Sequence, residues 1–387
     1  MGKEVDIMKK FKMKWMAMFL VMALAVCMAA CGGTETGGTA QTGGGETQAS
    51  ADAPGKGATK IGVLLVGTRD DYGYNQALYE GCLESGQELG VEVLIKESVP
   101  EDSSSQAVME QLIAEGCTII YASSYGHREY AELVAAAHPE VAFFCSNETG
   151  EDMNNVSALV TYGWDSAYIN GICAGLMTKT NEIGYIGSFQ VPVVMYSVDA
   201  FALGVQSVNP NATVHVVFTG SWDDVGLQTD AVNAMASQNI DCIAQYQDYT
   251  KTICEMCEAA GIYVIGYHVD ASDIAPNTFL TGTIDICKRQ TEVFRETIEG
   301  NFPAGIVSGG YPEGMVANAE CSDVVPDEVK AQVDAAVKAA EEGSLNVYAG
   351  PVYLQDGSVV YEEGYTPTTE EILGIDFLVQ GTVGLDN

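Results

Sequence analysis

Ile61-Gly62-Val63-Leu64-Leu65-Val66 is an apolar run of strand length, and it empties into Gly67-Thr68-Arg69-Asp70-Asp71-Tyr72-Gly73-Tyr74-Asn75-Gln76, a polar loop. Helical spacing follows at Leu78, Cys82 and Leu89. The same alternation then repeats, with strand-length runs at Val91 to Ile95, Thr118 to Ala122 and Val141 to Cys145. Near-continuous apolar strands between amphipathic segments imply a parallel sheet covered on both faces. A second series begins at Glu182 to Ser188 and continues through Thr213 to Thr219, Asp241 to Tyr246 and Tyr263 to Tyr267. Its helices are expected at Val194 to Ser207, Gly226 to Ser237 and Lys251 to Ala260. The fold class is therefore α/β, with two doubly wound parallel-sheet lobes. The first is expected to span 60–161 plus about 283–320, the second 162–282 plus about 321–387. Crossover hinges are expected near Val160 to Gly163, at Gly282 to Thr283 and within 310–325. Asp327 to Glu342 reads as a helix, and Tyr353 to Tyr361 as a hairpin in a tail that must pack on one lobe.

Upstream of this body, Lys9, Lys10, Lys12 and Lys14 precede an apolar run from Trp15 to Ala30, the layout of an export signal rather than a membrane span. Ala29-Ala30-Cys31-Gly32 resembles a bacterial lipobox, which implies lipidation of Cys31 and anchoring on the outer face of the cytoplasmic membrane. Residues 31–59, rich in Gly and Thr, read as a flexible tether. The chain of 387 residues carries 17 Lys and Arg against 53 Asp and Glu, a formal charge of -36. Such a surface repels phosphate backbones, which excludes nucleic acid as a partner.

Ligands of open parallel sheets lie beyond the carboxyl ends of the strands. The loops there carry Asp71, Tyr72, Tyr74 and Asn75, then Tyr125, Phe189, Trp222, Tyr246, Asp248, Tyr267 and Asp270. Trp164 and Asp165 open a further apolar helix, which Asp165 could simply cap. A cleft lined by rings with a few carboxylates and amides suits a small planar ligand. Enzyme signatures are missing: there is no Gly-x-Ser-x-Gly, no phosphate-loop sequence and no His cluster. Cys254-Glu255-Met256-Cys257 has metal-pair spacing without a second pair, and it falls where a helix is expected, so neither a metal nor a cofactor is assigned. Nine cysteines remain after residue 31, so at least one thiol is unpaired in a monomer, the expected state.

Asp71-Tyr72-Gly73-Tyr74-Asn75-Gln76 resembles the signature of the basic membrane lipoprotein family, the substrate-binding proteins of ABC importers. Tyr168-Ile169-Asn170-Gly171-Ile172-Cys173-Ala174-Gly175, Ala202-Leu203-Gly204-Val205-Gln206, Gly220-Ser221-Trp222-Asp223-Asp224 and Gly266-Tyr267-His268-Val269-Asp270 extend the likeness in order. The resemblance implies a type I periplasmic-binding fold, a purine base or nucleoside as ligand, and a permease as partner. It also implies that Tyr74 and Phe189 sandwich the base, that Asn75 holds a ring nitrogen or exocyclic group, and that Asp270 accepts from a ribose hydroxyl or ring N–H. Asp285 stands where nucleoside-binding members carry a lysine, which leans toward a free base. The alternatives are a sugar or other polar ligand, or a ligand sensor of the same fold.

Overall fold

The computed structural model describes residues 53–146, 150, 152–285 and 287–384. The export signal and Cys31 lie outside the described residues. The first series comprises β1 (Lys60–Leu64), α1 (Tyr74–Leu89), β2 (Glu92–Lys96), α2 (Ser104–Ala114), β3 (Ile119–Ala122), α3 (Arg128–Ala135), β4 (Ala142–Cys145) and β5 (Val156–Thr161). The second runs α4 (Trp164–Met177), β6 (Glu182–Gly187), α5 (Pro192–Val208), β7 (Thr213–Phe218), α6 (Val225–Ser237), β8 (Cys242–Gln245), α7 (Lys251–Ala260), β9 (Tyr263–Gly266) and β10 (Phe279–Asp285). After these come α8 (Lys288–Ile298), β11 (Gly305–Gly309), β12 (Val316–Asn318), α9 (Asp327–Glu341), β13 (Val352–Tyr353), β14 (Val359–Tyr361), α10 (Thr369–Leu373) and β15 (Thr382–Gly384).

Two large sheets result, ordered β11-β5-β4-β3-β1-β2 and β12-β10-β9-β8-β6-β7-β15, beside a two-stranded hairpin of β13 and β14. Every pairing in the first is parallel. In the second only β12 is antiparallel, against β10. The period of two sorts side chains to the two faces. In the first sheet Leu64, Ile120, Phe143 and Cys145 enter one core, while Ile61, Val63, Tyr121 and Phe144 enter the other. Both faces are buried, which is why the strands read as unbroken apolar runs. Two helices begin on recognisable first-turn signals: Asp224 accepts from Leu227 N at 2.9 Å at the start of α6, and Pro192 opens α5.

Several expectations are revised. Residues near 55–58, assigned to the tether, already belong to the body: Gly55 N donates to Glu140 O at 2.9 Å, Gly57 N to Ile298 O at 2.8 Å, and Ala58 is buried. Gly282 and Thr283 are not a crossover, because they lie inside β10. A Cβ on Gly282 would stand 2.7 Å from the Gly266 backbone, so that glycine serves close strand approach. The chain returns to the first lobe only after Asp285, where α8 buries Val293 and Phe294 against β1 and β3. The segment expected wholly in the first lobe is divided, β11 joining the first sheet and β12 the second. The tail packs on the second lobe: Tyr348 Oη donates to Tyr196 O at 2.5 Å and Val379 N to Asp199 Oδ1 at 3.0 Å. Cys254 and Cys257 fall on the buried face of α7. No helix among the described residues is long and apolar enough to cross a membrane.

Candidate functional site

Strand order reverses between β1 and β3 in one sheet and between β6 and β8 in the other, and the loops beyond these points face a shared cavity. Its volume is about 150 Å³. Tyr74 and Tyr125 enter from the first lobe, with Tyr121, Ser124 and Ser146; Trp222, Tyr246, Asp248, Tyr267, His268 and Asp285 enter from the second. Among the described lining residues there is no lysine or arginine.

Each ring is held in place. Tyr74 Oη lies 2.9 Å from Ser146 Oγ and also donates to Ser123 O. Its ring centroid sits 5.1 Å from that of His268. The Tyr246 and Tyr267 rings pack at 4.5 Å. His268 Nδ1 meets Asp285 Oδ2 at 2.5 Å, a hydrogen bond made possible because β9 and β10 are neighbours. Burial pushes the Asp248 carboxyl well above the usual carboxylate range, and nearby Asp71, Glu101, Asp223 and Asp285 push it further.

The two lobes touch at the cavity edge. Tyr74 N donates to Asp248 O at 3.1 Å, and Thr250 N and Lys251 N donate to Asp71 O at 3.1 and 3.3 Å. Tyr72 Oη donates to Asp273 at 3.0 Å, and Thr250 Oγ1 donates to Tyr72 O.

Of the residues singled out from sequence, Tyr74, Tyr125, Trp222, Tyr246 and Asp248 line the cavity. Asp71, Asn75, Trp164, Asp165, Phe189 and Asp270 lie outside its lining. Asp71 is occupied in starting α1: its oxygens accept from Gly73 N, Asn75 N and Gln76 N at 2.9, 2.9 and 3.0 Å, and from Asn75 Nδ2 at 2.8 Å. Asn75 is spent the same way, because its Oδ1 accepts from Gly67 N at 3.0 Å. Phe189 stands edge-on behind Trp222, centroids 5.0 Å apart. Asp270 is exposed and accepts from Ser272 N at 2.8 Å, an Asx turn. Trp164 stacks on Tyr162 at 4.6 Å. His268 and Asp285 were missed as site residues. The signal lay in Gly266-Tyr267-His268-Val269-Asp270: β9 ends at Gly266, so His268 is nearer the strand end than Asp270.

Asp165 carries a prediction of its own. Burial, and then Glu313, push its carboxyl up to about 7. The folded protein therefore keeps a proton that the unfolded chain releases near the ordinary aspartate value of 3.8, and stability declines as pH rises between these values. Asp165→Asn removes this slope. In melting curves at pH 5 and pH 8, the variant should gain on the wild type at the higher pH; parallel curves would refute the assignment.

Two wound lobes flank an aromatic cavity, the architecture of the type I periplasmic-binding fold. The fold matches a solute-binding protein of Aeropyrum pernix with a TM-score of 0.63 at 18% identity, covering 81% of this chain and 94% of that one. The chain belongs to the family of PnrA-like ABC transporter substrate-binding proteins, which it matches over residues 58–348. It is 30% identical to a purine-binding protein of Brucella abortus over 83% of this chain and 92% of that protein. It is also 29% identical, over 65% of this chain and 64% of the relative, to a putative ABC transporter glucose-binding protein of Haloferax volcanii. The family comprises extracytoplasmic solute-binding proteins that work with ABC permeases, not enzymes.

Proposed function

We propose that the protein delivers a free purine base to an ABC permease, binding it in the cavity between the lobes as a monomer anchored outside the cytoplasmic membrane through Cys31. The size of the cavity carries this reading. A space of about 150 Å³ compares with an engineered cavity of about 150 Å³ that accepts benzene, and with about 300 to 1,000 Å³ for drug-sized ligands. One flat ring system suits it better than a base with its ribose. The aromatic lining favours stacking, and the Asp285 carboxylate disfavours anions. The Brucella relative supports a purine. The Haloferax relative favours a sugar as the second reading.

Thermal shift and calorimetry of the purified protein against adenine, hypoxanthine, guanine, their nucleosides and nucleotides, and monosaccharides separate these readings. A free base present at about a hundred times its dissociation constant should add about 2.7 kcal/mol of stability. Nucleotides should add nothing. A response to glucose alone would replace the purine reading. Tyr74 and Phe189, expected from sequence to sandwich the base equally, should now differ. Tyr74→Ala should weaken binding by about one to two orders of magnitude, the worth of a stacked ring. Phe189→Ala should cost less, because that ring only backs Trp222. Equal losses would place Phe189 on the ligand.

A further inference from the structure

His268 is buried, lines the cavity, and adopts a left-handed backbone with φ 71°. Non-glycine residues rarely occupy that region, and those that do concentrate at functional sites. Two contacts with one residue hold it there: Asp285 N donates to His268 O at 3.1 Å, and His268 Nδ1 meets Asp285 Oδ2 at 2.5 Å. A carboxylate accepts, so Nδ1 carries the proton, and in the neutral ring Nε2 is then an acceptor. Nε2 is buried and has no partner among the described residues. The surrounding rings of Tyr74, Tyr246 and Tyr267, centroids 5.1, 6.4 and 3.9 Å away, supply an apolar wall. An acceptor held this firmly, unpaired and closed in by these rings at the edge of a binding cavity, is explained by a donor that reaches it when ligand entry parts them.

We propose that His268 Nε2 selects free bases by accepting the N–H of the purine five-membered ring, with Asp285 as the residue that fixes its tautomer. This rests on the purine reading above and sharpens it. A free purine carries one N–H on that ring. A nucleoside has lost it to the glycosidic bond, and a 9-methyl base has lost it to the methyl group. The selection is therefore chemical as well as steric.

Two variants and one spectrum test it. Asparagine tolerates the left-handed backbone, so His268→Asn keeps the fold while removing the imidazole. Asp285→Asn keeps the shape and can donate to Nδ1, which moves the ring proton to Nε2 and turns the acceptor into a donor, as the corresponding change does in the serine-protease triad. Calorimetry with adenine and 9-methyladenine should show the wild type preferring adenine by about tenfold or more. That preference should shrink in both variants, each of which should melt below the wild type because a buried pair is broken but still unfold in one cooperative transition. In ¹⁵N-histidine-labelled wild type, His268 should show a protonated Nδ1 and a bare Nε2 whose shift moves when adenine binds. A protonated Nε2 in the free protein, or an adenine preference equal in wild type and His268→Asn, overturns the inference while leaving purine binding intact. A wild type that binds no purine overturns the reading of the site, and this selection with it.

Discussion

Gly73→Ala should lose about a hundredfold or more in ligand affinity and keep the wild-type melting temperature. A Cβ at this position would lie 1.9 Å from Asp248 O and 3.0 Å from Thr250 Cγ2, atoms of the opposite lobe. Backbone oxygen cannot step aside as a flexible side chain can. The clash exists only when the lobes meet, because Gly73 belongs to the loop after β1 and Asp248 to the loop after β8. The same approach brings Tyr74 N to Asp248 O and Thr250 N to Asp71 O. An alanine there therefore acts on the equilibrium between open and closed forms and not on either lobe's core. If binding requires the closed form, the apparent dissociation constant rises in inverse proportion to its population, and a hundredfold depletion costs about 2.7 kcal/mol. Small-angle scattering should show the variant remaining extended at ligand concentrations that compact the wild type. Unchanged affinity would mean that the ligand binds without this contact between the lobes.

The second large effect concerns folding. Gly171 on α4 and Gly204 on α5 let two helix backbones touch: a Cβ on Gly171 would stand 2.1 Å from Phe201 O, and one on Gly204 2.0 Å from Tyr168 O. Ile169, Cys173, Phe201 and Val205 bury their side chains in the same core of the second lobe. Valine at position 171 must push the helices apart and strip contacts from that core. Overpacking of this kind costs about 1 to 3 kcal/mol and occasionally more; with backbone as the obstacle, about 3 kcal/mol or more is expected for Gly171→Val. In a chain this size that lowers the melting temperature by roughly 4 °C or more. Gly171→Ala should still destabilise, even though alanine is the better helix former by about 1 kcal/mol. A melting temperature unmoved by valine would show that the helices have room to separate without cost.

Much of the fold was legible because its cause is local. A strand buried on both faces must be apolar throughout, and a helix between such strands must carry one apolar stripe. These demands placed β1 to β4 and β6 to β9 within a residue or two and α7 at its observed bounds, Lys251–Ala260. Strands β5 and β10 escaped although buried, because Ser157, Thr281 and Thr283 interrupt their apolar runs, and β11, β12 and β15 for the opposite reason. These last three are short edge strands, and β11 alternates half-buried and exposed positions instead of presenting an apolar run. Gly282 misled because a glycine that permits close strand approach looks, in sequence, like one that permits bending.

In the site, the strand ends identified the loops, and with them Tyr74, Tyr125, Trp222, Tyr246 and Asp248. What sequence could not supply was the fate of each polar group inside those loops. Asp71 and Asn75 look like ligand contacts until their oxygens are found satisfied by the backbone at the start of α1 and by Gly67. Asp270 closes its own turn.

From the sequence alone follow the two wound lobes, the acidic charge of the chain, and the aromatic character of the cleft, since periodicity, charge and loop composition are properties of the chain itself. Only the tertiary structure decided that His268 pairs with Asp285, seventeen residues away, and that Gly73 meets Asp248 across the cleft. Those pairings come from strand neighbours and from one lobe closing on the other, and no local pattern encodes which distant residue will stand at hydrogen-bond distance.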